Sequence, residues 1–353
     1  MDFSFSPEQD QLRTQARSFL EKRRDGASWP ELARLGWTGA SIPEAQGGAG
    51  LSFIEEAIVF EELGRALYAG PFFSTVALAL PALACAPELL AKVASGALTA
   101  TLAAGTAVEA RRVGDRWLLR GETGLVPDAG DVDALVVHAR GPDGIGLYLA
   151  ERQDARPHVK VLDTVDATRR LGRVIFEDDD ARLLAAPPAA AKIIASTRRR
   201  ALAALALEAV GVASHALELG VEHAKGREQF GRPIGAYQAV SHKLADTYVE
   251  TELARSLAYW RRGASPRMTG RPSSPRSRRR RTPRRRRSRR ASARSRCTAA
   301  WASPGTIRSI ATTSEHSGSR RSTAPARRTA RRSHRRCLVA DNGMRGETST
   351  WTD

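Results

Sequence analysis

Apolar residues recur at helical spacing through Leu12, Ala16, Phe19 and Leu20. They follow Ser6-Pro7-Glu8, a start signal with serine as N-cap and proline in the first turn. A second helix is predicted from Trp29-Pro30 to Leu35-Gly36-Trp37, then a loop over residues 42–50 (IPEAQGGAG). Residues 53–67 (FIEEAIVFEELGRAL) follow with one apolar and one acidic face, and helical signals continue to about residue 96. From about 98 to 185 the period changes to two. LTATLAA, TAVEARRVG, RWLLRGE, DALVVHAR, GIGLYLAE and Leu171–Phe176 are short, alternating or β-branched segments bounded by Gly, Asp and Pro. After Ala186-Pro187-Pro188-Ala189 strong helix formers return, with helices predicted over 190–226 and from about Gly235 to Trp260. The predicted class is α+β: helical residues 1–97, a small β domain over 98–186, a partial helical domain over 187–260, and a tail of different character over 261–353.

Charge isolates that tail. It holds 27 Arg, no Lys and 4 acidic residues, whereas residues 1–260 hold 29 basic and 34 acidic residues. The formal net charge of +18 therefore describes neither part and does not by itself imply a nucleic-acid partner for the whole chain. The tail has too little apolar content to fold and is expected to be disordered, with at most non-specific attraction for nucleic acid. Trp301 is its only aromatic residue between Trp260 and Trp351, a poor base-stacking platform. Cys85, Cys297 and Cys337 have no metal-site or redox spacing. The polar, acidic start (MDFSFSPEQD) is not a signal peptide, and the apolar run 72–86 is too short and proline-interrupted to span a bilayer. A cytoplasmic protein with no membrane partner is expected.

The most specific motif is Arg227-Glu228-Gln229-Phe230-Gly231-Arg232-Pro233-Ile234-Gly235-Ala236-Tyr237-Gln238, set between two predicted helices. Leu35-Gly36-Trp37, Ile42-Pro43-Glu44, Gly47-Gly48-Ala49-Gly50-Leu51-Ser52 and Glu61-Glu62-Leu63-Gly64-Arg65 precede it in order, as does Asp166-Ala167-Thr168-Arg169-Arg170-Leu171. In these residues the chain closely resembles the acyl-CoA dehydrogenases, over about its first 260 positions. The resemblance implies an N-terminal helical domain, a middle β domain, a C-terminal helical bundle reduced here to about two helices, and FAD as cofactor. It also implies an acyl-CoA substrate, an electron-transfer flavoprotein as electron acceptor, homo- or hetero-oligomers, and a place in fatty acid or lipid catabolism.

A guanidinium at Arg227 suits a pyrophosphate, Phe230 offers an aromatic face, and Gln238 can donate and accept hydrogen bonds. By resemblance these three contact FAD, commonly that of a neighbouring subunit. The alternative is that Arg227 pairs with Glu228 or caps a helix while Phe230 lies in the core. Gly231 and Gly235 read as turn residues. The Gly47–Gly50 loop lacks the preceding strand and the Lys-Ser/Thr of a phosphate-binding loop and reads as a helix-to-helix turn. Residues 121–129 fall where the family's β domain meets the flavin, or form a simple hairpin.

The implied reaction removes a proton from the α carbon of a thioester and passes a hydride from the β carbon to flavin, which calls for a glutamate general base. In the family that glutamate lies in a loop near the C-terminus, here inside the tail, or on the first helix of the third domain. At the second place this chain reads Ser196-Thr197-Arg198-Arg199-Arg200-Ala201-Leu202, with no carboxylate. Glu208 is the one carboxylate on the apolar part of that helix, as a base or as a packing residue. The catalytic residue is left unassigned, and a non-catalytic partner subunit of a heteromeric dehydrogenase is the second reading.

An arginine-rich, lysine-free tail suggests a shifted reading frame, because the alanine codon GCG of a GC-rich gene becomes an arginine codon when read one nucleotide late. Residues 297–306 (CTAAWASPGT), moved back one nucleotide, can read Val-His-Gly-Gly-Met-Gly-Phe-Thr-Trp-Asp, which resembles the family's glycine-rich C-terminal signature. Part of this is forced by the code: Trp301 before Ala302 gives Gly, and Cys297 before Thr298 gives His or Tyr. Likewise Trp260-Arg261-Arg262-Gly263 can revert to Trp-Ala-Ala-Trp. A one-nucleotide shift near Trp260 would remove the rest of the bundle, leave apolar helix faces open and weaken flavin binding.

Overall fold

The computed structural model describes residues 5–263, apart from 24–25, 106, 153–156 and 167, with side chains as far as Trp260. Against the disorder expected from residue 261, residues 261–263 continue the last helix; the rest of that expectation, over 264–353, and the proposed frame change lie outside the described residues.

Helix α1 (Pro7–Glu21) opens with the predicted cap: Gln9 N donates to Ser6 Oγ and Ser6 N donates to Gln9 Oε1, a reciprocal capping box. Helix α2 (Trp29–Arg34) is capped from Ser28, and α3 (Phe53–Arg65) from Ser52. The loop between them folds back on itself. Gly47 and Gly50 take positive φ, and a Cβ at Gly48 would sit 2.1 Å from the Ile42 carbonyl oxygen, so the glycines serve the turn. The apolar run after it forms a π-helical segment, Phe73–Ala79, followed by α4 (Leu80–Leu83) and α5 (Pro87–Ala94).

The β strands follow the period-two segments: β1 (Ala100–Ala103), β2 (Glu109–Val113), β3 (Arg116–Glu122), β4 (Val126–Pro127), β5 (Ala134–Gly141), β6 (Gly144–Glu151), β7 (His158–Leu162) and β8 (Leu171–Ala185). β5 pairs with β2, β2 with β3, β3 with β8, β8 with β6, and β6 with β5, so the sheet closes on itself. Leu119, Leu135, Val137, Tyr148, Val174 and Phe176 fill it. β8 runs nine residues past the predicted Phe176. Its acidic stretch 177–180 stays in the sheet because Asp178 and Asp180 face Arg111 and Arg116 across the strands.

Helix α6 (Ala189–Gly226) and helix α7 (Gln238–Gly263) complete the described chain, joined by the hairpin β9 (Glu228–Gln229) and β10 (Arg232–Pro233). α6 crosses α3 with almost no side chain between the backbones. A Cβ at Gly64 would lie 2.2 Å from the Glu208 carbonyl oxygen, and one at Gly211 would lie 1.9 Å from that of Glu61. By length and composition alone α6 could cross a membrane. Here Ala201, Ala204, Leu207 and Val210 belong to the shared core instead.

The acidic face of α3 is not a solvated one. Glu56, Glu61 and Glu62 are buried, and arginines from other elements neutralise them. Arg17 donates to Glu62 in a two-bond fork at 2.8 and 3.0 Å. Glu61 accepts from Tyr259 Oη at 2.8 Å, Arg255 Nε at 2.9 Å and Arg13 at 3.4 Å, while Arg200 pairs with Glu56. Through Arg255 and Tyr259 these bonds hold the end of α7 to α1 and α3. The opposite face of α7 is open: Val249, Leu253, Leu257 and Trp260, spaced by a helical turn, are each more than half exposed.

Candidate cofactor and active site

The Arg227–Gln238 segment is built as a tight hairpin. Arg227 leaves α6 in an extended conformation, its N–H donating to the His223 carbonyl and its own carbonyl accepting from Ile234 N at 2.8 Å. Phe230 (φ 54°) and Gly231 (φ 76°) form the two-residue tip, both left-handed as a type I′ turn requires. Tyr237 braces it: its hydroxyl donates to the Gln229 carbonyl at 2.9 Å, and the Arg232 guanidinium lies 4.2 Å over its ring. Gly235 packs on the Ala224 carbonyl, where a Cβ would come within 3.0 Å.

The structural alternative for this turn holds in one part only, since Arg227 does stand at the C-cap of α6. Phe230 is 95% exposed and not in the core. Arg227 and Glu228 make no ion pair among the described residues; Arg227 caps α6 only through its backbone. Arg227, Phe230 and Gln238 are all exposed. A bulky side chain in left-handed backbone is strained by roughly 1–3 kcal/mol. Such strain falls at a solvent-open aromatic, with the exposed Arg227 and Gln238 in the same segment.

Residues 121–129 are not a hairpin. β3 and β4 both run antiparallel to β8, Val126 opposite Gly172 and Glu122 opposite Ile175, with Thr123 N donating to the Val174 carbonyl between them. Just past β4, Asp128 takes φ 52° and is buried, with Oδ2 2.6 Å from Ser74 Oγ.

Glu208 is held by the sheet. Arg169, in the loop before β8, donates to its carboxylate at 2.5 Å and stacks 4.4 Å over the Phe73 ring. Burial pushes the Glu208 carboxyl up, and the Arg169 charge opposes that shift. Around Ser196–Leu202 no carboxylate is supplied by the helix itself. Arg200 instead donates to the Val76 carbonyl at 3.0 Å and Ser41 Oγ at 3.1 Å besides pairing with Glu56, and Arg198 and Arg199 face solvent. Sequence reasoning did not anticipate the Arg169–Glu208 pair or the burial of Asp128; the one available signal was that Arg169 and Asp128 each stand in a segment already singled out. A separate cleft of about 710 Å³ at the sheet edge, lined by Trp117, Glu151, Asp180 and Arg182, contains none of the expected residues. Among the described residues no cluster of His, Cys, Asp and Glu could hold a metal ion.

A family model described as acyl-CoA dehydrogenase, N-terminal domain, matches residues 6–99, and one described as acyl-CoA dehydrogenase, C-terminal domain, matches 161–273. The chain belongs to the acyl-CoA dehydrogenase family. It is 36% identical over 234 residues to acyl-CoA dehydrogenase IpdE2 of Mycobacterium tuberculosis, covering 66% of this chain and 64% of that protein. It is 33% identical over 259 residues to acyl-CoA dehydrogenase FadE27 of the same organism, covering 69% and 68%. Among solved structures, a Tcur3481-Tcur3483 steroid ACAD variant superposes with a TM-score of 0.64 at 32% identity, covering 72% of this chain and 76% of that one. The chain thus spans slightly less than two thirds of the length of IpdE2. In this family member the order of helices, sheet and helices is the expected one, and the closure of the sheet is an addition to it.

Proposed function

We propose that this chain derives from a cytoplasmic FAD-dependent enzyme that dehydrogenates an acyl-CoA thioester at its α,β bond and passes electrons to an electron-transfer flavoprotein. We also propose that the chain alone does not complete that reaction. Residues 1–97, 98–186 and 187–260 act as its three domains. The reading of the cofactor site rests on the strained, solvent-open Phe230 between Arg227 and Gln238. Arg227 holds phosphate, Phe230 covers an aromatic ring and Gln238 fixes the nucleoside side. Bound flavin supplies hydride acceptance.

The missing step is proton abstraction. Glu208 is spoken for by Arg169, and the helix carries arginines where the family can carry its base. This also favours a second reading, in which the chain is the non-catalytic partner in a heteromeric dehydrogenase. Absorbance spectroscopy separates the outcomes. The purified chain is expected to carry little flavin and to show no bleaching with acyl-CoAs. A gene with its frame moved back one nucleotide after Trp260 is expected to give a stoichiometric yellow protein. A yellow, acyl-CoA-bleached product from the present sequence would sink the inactive reading, whereas flavin uptake only with a co-expressed second subunit would establish the partner reading.

A further inference from the structure

The cleft at the sheet edge follows from how the strands share β8. β3 pairs with it from Ile175 to Ala181, β7 reaches it only as far as Ile175, and β6 joins it only from Arg182. Residues 176–181 therefore have a strand on one edge alone among the described residues. β6 meanwhile stays with β5 to its end, where Glu151 lies opposite Ala134, so β6 and β8 part beyond the Leu149–Arg182 pair. The opening of about 710 Å³ there is large enough for a small molecule. Its lining divides by chemistry. Trp117, Ala181 and Leu183 pack against the sheet's own core, and Leu149 belongs to the core shared with the helices, so these four give apolar walls. The two cations of the lining are already engaged: Arg116 donates to Asp180 at 3.0 Å, and Arg182 donates to Glu88 at 2.9 Å. Asp115 is exposed, with Arg112 3.7 Å away. Glu151 is half-buried and enters no ion pair among the described residues. The cleft thus offers one free carboxylate beside apolar walls and an indole ring, and no free cation.

We propose that this cleft binds an organic ammonium ion on an apolar stem, at a place separate from the Arg227–Gln238 turn, with Glu151 as the counter-ion and Trp117 and Leu149 against the stem. Charge and shape select this class together. An ammonium group donates charge-assisted hydrogen bonds to the Glu151 carboxylate, and its stem takes apolar lining out of water. The indole ring of Trp117 adds an attraction for a cation that it does not offer to an anion. A carboxylate on the same stem meets Glu151 and Asp115 with like charge, and the guanidinium groups that could offset this have partners. A neutral alcohol keeps the burial of the stem and forgoes the charge.

Saturation-transfer NMR titrations of the full-length protein with n-butylammonium, 1-butanol and butyrate at low salt test this. n-Butylammonium is expected to bind saturably and about fivefold tighter than 1-butanol, and butyrate weaker than either. Added salt should narrow the gap between the ammonium and the alcohol. Glu151→Gln keeps the size of the side chain and is expected to bring n-butylammonium down to the level of 1-butanol, leaving the alcohol unchanged. No saturation by n-butylammonium, equal binding of the ammonium and the alcohol, or an ammonium affinity that E151Q leaves unchanged would overturn the proposal. If E151Q does not fold, Ala181→Leu takes its place, since it fills the cleft without touching its charges. Loss of n-butylammonium binding in A181L supports the site, and binding as tight as in wild type refutes it.

Discussion

A phenylalanine at positive φ with its ring in water works against the stability of its own chain. Phe230→Gly relieves the backbone, so it is expected to stabilise the isolated protein by about 1 kcal/mol while lowering flavin uptake by the frame-restored protein. Denaturant titration and a flavin titration read the two effects separately, and a stability loss would mean that the ring is packing after all. Glu61 is the opposite case, a buried carboxylate shared by Arg13, Arg255 and Tyr259. Glu61→Gln removes that shared carboxylate, leaving Arg13 with Glu62 and Arg255 with Glu252, and is expected to cost about 2 kcal/mol, measured by urea unfolding. The turn that carries Arg227, Phe230 and Gln238 was legible in the sequence because a contiguous motif marks it between two helices. The partners of Glu61 were not, since Arg13 stands 48 residues before it and Arg255 194 residues after. Nothing local distinguishes a glutamate on an acidic solvated face from one that distant arginines will bury.

Helix boundaries were readable where capping chemistry marks them, as at Ser6, and strands where alternation is clean, as in β3 over Arg116–Glu122. β4 and β7 were not, because two residues and a half-exposed five-residue strand have no period to detect. The second half of β8 reads as polar loop, since cross-strand ion pairs replace apolar burial there. The α3–α6 crossing yields a test at this scale. Gly211→Ala places a methyl group 1.9 Å from the Glu61 carbonyl, so the helices must separate. A loss of at least about 2 kcal/mol is expected by thermal unfolding, against a few tenths for the same change at the uncrowded Gly226.

For the molecule as a whole, Val249, Leu253, Leu257 and Trp260 leave one side of the last helix open among the described residues. Leu253→Lys with Leu257→Lys is expected to reduce self-association in light scattering without lowering the melting temperature. A lower melting temperature would show that something already covers that face. The order of domains was legible because the hydrophobic period changes from 3.6 to 2 and back, whereas closure of the sheet was not, for it depends on one strand. β8 pairs with β3, β4, β6 and β7. On a ribosome, therefore, the earlier strands emerge with no closed structure to join until residue 185 has been made. Closure of the sheet is thus a late event, and the face of α3 that packs on α6 stays open until that helix follows.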